Sequence, residues 1–225
     1  MIVRRTRQGL ELRVDGTLAS VHRQLSLRAQ IVWWTLAAPA VLMRRERRRR
    51  VLFLGFGAGS AARVVRSLHP DAELVGVERD AAVLRLARRH FGIDKLGVEL
   101  IVEDALAYLR RERRRFDLII EDVFIGTART LRKPDWLFDE GYALIRPRLC
   151  AGGLLAANTI HETRKVLRAL RPLGTGILSL AIRDYWNRIL VCGSDLPAPR
   201  DMRRRLAAHA GFASLLPHLA VRTAI

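Results

Sequence analysis

Short apolar runs alternate with amphipathic stretches along most of the chain. The apolar runs predict seven strands, at 51–55, 73–77, 98–102, 116–121, 153–157, 177–182 and 188–192. The amphipathic stretches predict helices at about 59–68, 80–91, 104–113, 135–148 and 161–171. Strands that alternate with helices are typical of a doubly wound α/β domain with a mostly parallel, Rossmann-like sheet.

The last two predicted strands are an exception to the parallel arrangement. Only the residues from Asp184 to Asn187 separate them. This connection is too short for a crossover helix, so the last strand should run antiparallel to its neighbour. We therefore predict a seven-stranded, mostly parallel sheet with an antiparallel last strand. A final helix is expected at about 200–210, followed by a loose tail.

The N-terminal segment has a different pattern from the rest of the chain. Apolar residues alternate around Asp15-Gly16, a pair typical of tight hairpin turns, and predict a small β-hairpin. Ser26 is the expected N-cap of a helix that extends to Met43. We therefore divide the chain into a hairpin and helix (1–50), a cofactor-binding domain (51–195) and a C-terminal helix and tail (196–225).

The balance of charged residues is strongly basic. Forty Lys and Arg residues against 22 Asp and Glu residues give a net charge of +18 over 225 residues. Arginine clusters lie at Arg44–Arg50, Arg110–Arg115 and Arg203–Arg205. Such an excess invites nucleic-acid binding, but the first two clusters end predicted helices, where arginine complements the helix dipole. Nucleic-acid binding is therefore an alternative that we do not favour.

Other features of the composition exclude several classes of protein. Two cysteines, Cys150 and Cys192, cannot form a disulfide framework, which indicates a reducing, cytoplasmic location. No His/Cys cluster has metal-ligand spacing, so no metal is expected. The longest apolar stretch, 31–43, is much shorter than the ~20 residues of a membrane span. No secretory signal pattern is seen, and no membrane partner is expected.

Candidate site residues follow the first two predicted strands. The first strand runs into Gly55-Phe56-Gly57-Ala58-Gly59, and glycines there allow a cofactor to approach the backbone. The second strand ends at Glu78, where a carboxylate can accept hydrogen bonds from both ribose hydroxyls of an adenosine cofactor. Together these features predict a nucleoside-cofactor site.

Two further acids follow the next two predicted strands. Asp104 is a candidate N-cap that can also face the exocyclic amine of adenine, and Asp122 ends the fourth strand at the same rim. The glycine spacing, with Ser60 in place of a final glycine, departs from the Gly-x-Gly-x-x-Gly pattern of NAD sites. S-adenosylmethionine is therefore the favoured cofactor.

Several of these segments resemble those of one known protein family. The segments 51–59, 77–80, 103–104, 117–124 and 152–158 resemble spermidine synthases, which have the class I S-adenosylmethionine-dependent methyltransferase fold. The hairpin at 9–16 and the last strand at 187–190 also resemble that family, so the resemblance covers roughly residues 9 to 195. It implies a homodimer and a set of cofactor-binding residues: Gly55, Gly57, Ala58, Gly59, Glu78, Arg79, Asp104, Ala105 and Asp122.

The departures from the family pattern favour methyl transfer. The resemblance implies an acid in the glycine loop for the cationic tail of decarboxylated S-adenosylmethionine, and this chain has Ala58 there. A second family acid, expected to grip a diamine, is replaced by Ile125, while Ala19 and Arg28 lie where a glutamine and a tyrosine are expected. The net charge should also steer polycations away. Aminopropyl transfer and a non-catalytic, nucleic-acid-binding relic of the fold are the alternatives.

The acceptor is expected to be a small molecule bound beside Asp122. This carboxylate either orients an amine and takes its proton, or accepts a hydrogen bond from the ammonium group of the cofactor. Asn158 and His161 follow the fifth strand, and Tyr185 lies in the last turn. We predict that these three residues border the acceptor pocket.

Overall fold

A computed structural model describes residues 1–7, 9–22, 30–43, 49–173 and 176–224 of the chain. The expected N-cap Ser26, Arg28 and the first five arginine-cluster positions, 44–48, lie outside the described residues. Two sheets form the fold. The smaller is antiparallel and comprises β1 (Ile2–Thr6), β2 (Gly9–Val14) and β3 (Thr17–His22).

The larger sheet has eight strands in the order β11-β9-β10-β8-β7-β4-β5-β6. In chain order these are β4 (Arg50–Leu54), β5 (Glu73–Glu78), β6 (Val98–Val102), β7 (Phe116–Glu121), β8 (Leu149–Thr159), β9 (Gly176–Ile182), β10 (Arg188–Gly193) and β11 (Leu219–Thr223). The five strands from β4 to β8 are parallel, and β10 runs antiparallel to both of its neighbours. The predicted fold class is confirmed, but an eighth strand, β11, occupies part of the expected tail.

Seven α-helices flank the sheet in the described ranges. They are α1 (Ile31–Ala37), α2 (Ser60–Leu68), α3 (Ala81–Phe91), α4 (Ala105–Arg111), α5 (Tyr142–Ile145), α6 (Thr163–Leu170) and α7 (Pro199–Ala207). None of these helices is long and apolar enough to cross a bilayer. The helix expected to reach Met43 changes to a 3-10 turn at Ala38–Leu42, because Pro39 lacks an N–H and crowds the preceding turn.

Helices cover both faces of the large sheet and enclose two apolar cores. One core contains residues of α1, α2, α3 and α7, and the other contains residues of α4, α5 and α6. Strand β4 contributes Val51 and Phe53 to the first core and Leu52 and Leu54 to the second. This alternation follows from the two-residue period of a strand. It leaves the carboxyl ends of the parallel strands as the edge where loops can form a site.

The N-terminal hairpin forms as the sequence predicts. Asp15 (φ 49°) and Gly16 (φ 81°) both have positive φ, as the two central residues of a type I′ turn require. The turn contacts the loop after β7, since the backbone N–H of Ala128 donates to the carbonyl of Asp15 (3.2 Å). The small sheet is therefore held against the edge of the large sheet at which the strands β4 to β7 end.

Candidate active site

The glycine loop after β4 adopts a backbone that side chains would disturb. Gly55, Gly57 and Gly59 all have positive φ, between 57° and 79°. A Cβ at Gly55 would lie only 2.7 Å from the carbonyl oxygen of Asp122. The loop can therefore pack directly against the residue that follows β7, and the two candidate segments meet at one rim.

The small sheet covers part of this loop. The Ser20 hydroxyl accepts a hydrogen bond from the Ala58 N–H (2.8 Å), and the Ser60 hydroxyl donates to the Val21 carbonyl (3.0 Å). The Ala58 side chain is buried beneath these contacts and does not line the cavity described below. Ser20 is not among the predicted site residues, because its partner lies 38 residues away and no periodic pattern links them.

Glu78 at the end of β5 binds the backbone of the glycine loop. Its Oε2 accepts from the Gly57 N–H (3.0 Å) and its Oε1 accepts from the Asp80 N–H (3.1 Å). Loss of hydration raises the pKa of Glu78 above its ordinary value, and the two backbone N–H groups oppose that rise. Each oxygen keeps a lone pair that could accept a ribose hydroxyl.

Asp104 has the N-cap role that the sequence predicts. Its Oδ1 accepts from the N–H groups of Leu106 (2.9 Å) and Ala107 (3.2 Å) at the start of α4. In the described structure Oδ2 makes no hydrogen bond within this cap, so one oxygen of the same carboxylate is left for a cofactor. The neighbouring Ala105 lines the same cavity, as does Arg79 after β5.

Asp122 lies at the centre of a chain of side-chain hydrogen bonds. Asn158 donates from Nδ2 to its Oδ1 (2.7 Å), and Asn187 donates from Nδ2 to the Asn158 Oδ1 (3.0 Å). The Trp33 side chain also lies beside Asp122 and lowers the pKa of its carboxyl. Burial raises the pKa of Asp122 to about 6, despite the opposing charge of Lys133. A carboxylate with this pKa is mostly ionised at neutral pH and can still take up a proton.

A buried ion pair lies directly behind Asp122. Lys133 Nζ donates to Glu121 Oε1 (2.5 Å), and both side chains are fully buried. The Tyr142 hydroxyl donates to the other oxygen of Glu121 (3.1 Å). The sequence analysis missed this pair. The available signal was a charged residue, Glu121, at a position of β7 where an apolar residue would be expected.

These elements enclose a cavity of about 490 Å³. Nine of the candidate residues line it: Gly55, Gly57, Glu78, Arg79, Asp104, Ala105, Asp122, Asn158 and Tyr185. The cofactor candidates Ala58 and Gly59 lie behind the wall of the cavity, not in it. His161 is also outside the lining; it is exposed, with its ring 6.3 Å from that of Trp186.

The charge of the cavity is opposite to that of the whole chain. The described residues that line it include one arginine, Arg79, and seven acids: Glu11, Asp15, Glu78, Asp80, Glu103, Asp104 and Asp122. Two of these acids are paired with arginines, Glu11 with Arg13 and Glu103 with Arg111. Because local charges outweigh a distant net charge, the lining acids and not the excess of arginine over the whole chain should determine the charge of the ligand that this cavity binds.

Arginines of the central cluster have structural partners. Arg110 pairs with Glu140 (2.5 Å) and Arg114 with Glu99 (2.6 Å). In the C-terminal cluster, Arg203 donates to the Leu216 carbonyl (3.2 Å). These contacts fit the interpretation as helix-end and loop-stabilising residues. Within the described residues, no group of three or more His, Cys, Asp and Glu side chains could hold a metal ion.

Comparison with known proteins points to one fold. A family model described as a methyltransferase domain matches residues 51–148. The structure of a probable spermidine synthase from Corynebacterium glutamicum superposes with a TM-score of 0.76 at 20% identity, over 98% of this chain and 86% of that one. Human methyltransferase-like protein 13, solved with SAH, gives 0.64 at 20% identity, over 84% and 91%. The protein has the class I S-adenosylmethionine-dependent methyltransferase fold.

The chain is also similar in sequence to a polyamine aminopropyltransferase. Polyamine aminopropyltransferase 2 of Pseudomonas aeruginosa is 32% identical over 160 residues, which cover 67% of this chain and 43% of that protein. The chain thus spans less than half the length of this relative. With the fold and the site, this similarity identifies a spermidine synthase-like protein.

Proposed function

We propose that the protein is an aminopropyltransferase that uses decarboxylated S-adenosylmethionine and an amine acceptor. The observation that carries the proposal is the excess of carboxylates in the cavity of a strongly basic chain. Both substrates of such a reaction are cations, one with a sulfonium and an ammonium group and the other with protonated amines. The name of the Pseudomonas aeruginosa relative supports the same chemistry.

The residues present suit an adenosine cofactor. Gly55 and Gly57 leave room for close approach to the backbone, and Glu78 presents a carboxylate that is already oriented by two N–H groups. Asp104 offers an oxygen to the adenine amine while it caps α4. We assign the ribose to Glu78 and the adenine to Asp104, with the transferred group towards Asp122.

In the proposed reaction, the lone pair of an acceptor nitrogen attacks the propyl carbon bonded to sulfur. The N–C bond forms as the C–S bond breaks, the electron pair stays on sulfur, and methylthioadenosine leaves. Because a protonated amine has no lone pair, the acceptor nitrogen gives a proton to Asp122 before it attacks, and Asp122 can accept this proton since its pKa is about 6. The product nitrogen keeps its remaining protons as a secondary ammonium. Asn158 holds Asp122 in place, so the protein contributes alignment as well as proton transfer.

Methyl transfer from ordinary S-adenosylmethionine is the second candidate. Ala58 favours it, because the resemblance implies an acid there that would repel the α-carboxylate of the ordinary cofactor. However, the Ala58 side chain is buried under Ser20 and is not part of the cavity wall. The alanine therefore bears on the choice of cofactor less directly than the sequence indicates.

Competition calorimetry with the two cofactors, followed by mass spectrometry of the products formed with putrescine, tests the proposal. We expect tighter binding of decarboxylated S-adenosylmethionine and an acceptor that gains an aminopropyl group. Arg168→Ala, on the exposed face of α6, is the control and should match the unmodified chain. Tighter binding of the ordinary cofactor with methylated products would replace the proposal by the second candidate. Binding of neither cofactor would overturn both.

A further inference from the structure

Lys133 is a buried cation that the proposed reaction does not use. It lies in the loop between β7 and the helical segment that begins at Leu137, and its side chain is fully buried. Its Nζ donates to Glu121 Oε1 (2.5 Å) and to the Val123 carbonyl (3.1 Å), and lies 4.0 Å from the centroid of the Phe124 ring. Val123 and Phe124 both line the cavity.

The rest of this loop is held by backbone and carboxylate contacts. Ile125 and Arg132 exchange two backbone hydrogen bonds (2.9 and 3.0 Å), which close the loop. The Lys133 N–H donates to Glu162 Oε1 (2.9 Å), and the Val123 N–H donates to Glu121 Oε1 (2.8 Å). Through its ammonium group, Lys133 therefore links the far end of the loop to Val123 at its start and to Glu121 in β7.

We propose that Lys133 is a positioning residue, which fixes the cavity-lining segment Val123–Ile125 and supplies a positive charge behind Asp122. The inference deepens the proposed function and rests on it only for the use made of Asp122. Nothing in the family resemblance singles out position 133. A lysine is suited to the role because one ammonium group can contact a carboxylate, a carbonyl and an aromatic face together.

The electrostatic consequence can be measured. From its own strand Asp122 faces the negative charge of Glu121, and from the loop it faces the positive charge of Lys133. The neighbours from β8 and α1, Asn158 and Trp33, are neutral. Lys133 lowers the pKa of Asp122 and Glu121 raises it. Neutralising one or the other should therefore shift that pKa in opposite directions, which loss of packing alone would not do.

The experiment follows the indole ¹H–¹⁵N resonance of Trp33 against pH, because the Trp33 side chain lies beside Asp122. Trp33→Phe assigns the signal. We expect Lys133→Met to raise the titration midpoint and Glu121→Gln to lower it, each by about one unit. Lys165→Met is the matched control, since Lys165 Nζ lies 3.9 Å from the Phe138 ring centroid but on the surface. Its midpoint should not move.

A second measurement covers the case in which Lys133→Met does not fold. The double variant Glu121→Gln/Lys133→Met removes both buried charges, and Lys133→Arg keeps the positive one. We expect the arginine variant to keep a midpoint within about half a unit of the original. Equal midpoints in Glu121→Gln and the original chain, or shifts of the same sign in both single variants, would overturn the proposal.

The titration uses the protein without cofactor or acceptor, so it does not depend on the proposed reaction. Lys133 contacts Glu121, Val123 and Phe124, next to Asp122, at what we call the acceptor end of the cavity. With substrates, Lys133→Arg should therefore raise the KM for the acceptor several-fold while the cofactor Kd stays constant. An increase in cofactor Kd equal to that in KM would contradict a positioning role at that end. Failure of aminopropyl transfer with opposite midpoint shifts would overturn the proposed function and leave this inference standing.

Discussion

The two ends of the cavity are built in different ways. At the cofactor end, the acids accept hydrogen bonds from backbone N–H groups: Glu78 from Gly57 and Asp80, and Asp104 from Leu106. At the acceptor end, Asp122 depends on Asn158, 36 residues away, and Asn158 on Asn187, 29 residues further along. Backbone N–H groups position the first set of acids, and the side chains of distant residues position the second.

The two ends therefore differ in how substitutions should affect them: the cofactor end through binding and the acceptor end through group transfer. Contacts with backbone N–H groups make the acids of the cofactor end less sensitive to side-chain substitutions, because no partner side chain can be lost. Side-chain contacts across strands allow the acceptor end to change with few substitutions. We therefore expect variants at the acceptor end to alter transfer strongly and binding of the cofactor little.

Asp122→Asn should give the largest effect: it should reduce group transfer and leave cofactor binding unchanged. The substitution removes the proton acceptor, so transfer should fall by about 10²–10⁴-fold. In the unmodified chain, kcat/KM should rise with pH through about 6, where Asp122 ionises. Steady-state kinetics from pH 5 to 8 and calorimetry of cofactor binding provide the measurement. A cofactor Kd weakened as much as kcat would contradict the separation of the two ends.

The same variant should stabilise the fold near neutral pH. The folded-state pKa of Asp122, about 6, is above the ordinary value of 3.8. The stability that this group contributes is therefore fully present below about pH 4 and is lost as pH rises through about 6. Asparagine cannot ionise, so thermal unfolding at pH 7 should show a higher Tm for Asp122→Asn, and the two curves should converge towards pH 4.

Glu78→Gln should have a smaller effect, and it should act on cofactor binding. The amide loses one charge-assisted acceptor for the backbone N–H groups and the ribose, so the cofactor Kd should rise by about 10- to 100-fold. Calorimetry measures it. Glu73→Gln, at the other end of the same strand and paired with Arg50, is the control and should leave the Kd unchanged. Equal effects of both substitutions would mean that the strand, not the carboxylate, determines binding.

Ser20→Ala should give the smallest effect, and it tests whether the small sheet supports the glycine loop. It leaves the buried Ala58 N–H without its acceptor, at a cost of about 1–3 kcal/mol. Chemical denaturation should show this loss. Ser67→Ala also removes a hydroxyl hydrogen bond, to the Val64 carbonyl, but lies away from the loop. Only Ser20→Ala should weaken cofactor binding; a Kd equal to that of Ser67→Ala would show that Ser20 does not support the loop.

Much of the cofactor end could be predicted from the sequence, and little of the acceptor end. Strand ends, glycines and the acids after them lie within short segments, where hydrophobic periodicity indicates each boundary. Lys133, Ser20 and Asn187 act through partners 12 to 38 residues away, and periodicity reports which face is buried, not which side chains meet. Strand β11 was missed because only Leu219 and Val221 of its five residues are buried.

Strand β11 also bears on the tendency of the protein to aggregate. It pairs antiparallel with β9, an apolar strand that would otherwise form the edge of the large sheet. An uncovered edge offers unpaired N–H and C=O groups to strands of other molecules. Loss of β11 would therefore turn β9 into a template for self-association, and the first symptom would be turbidity in a concentrated solution, before any defect at the cavity became measurable.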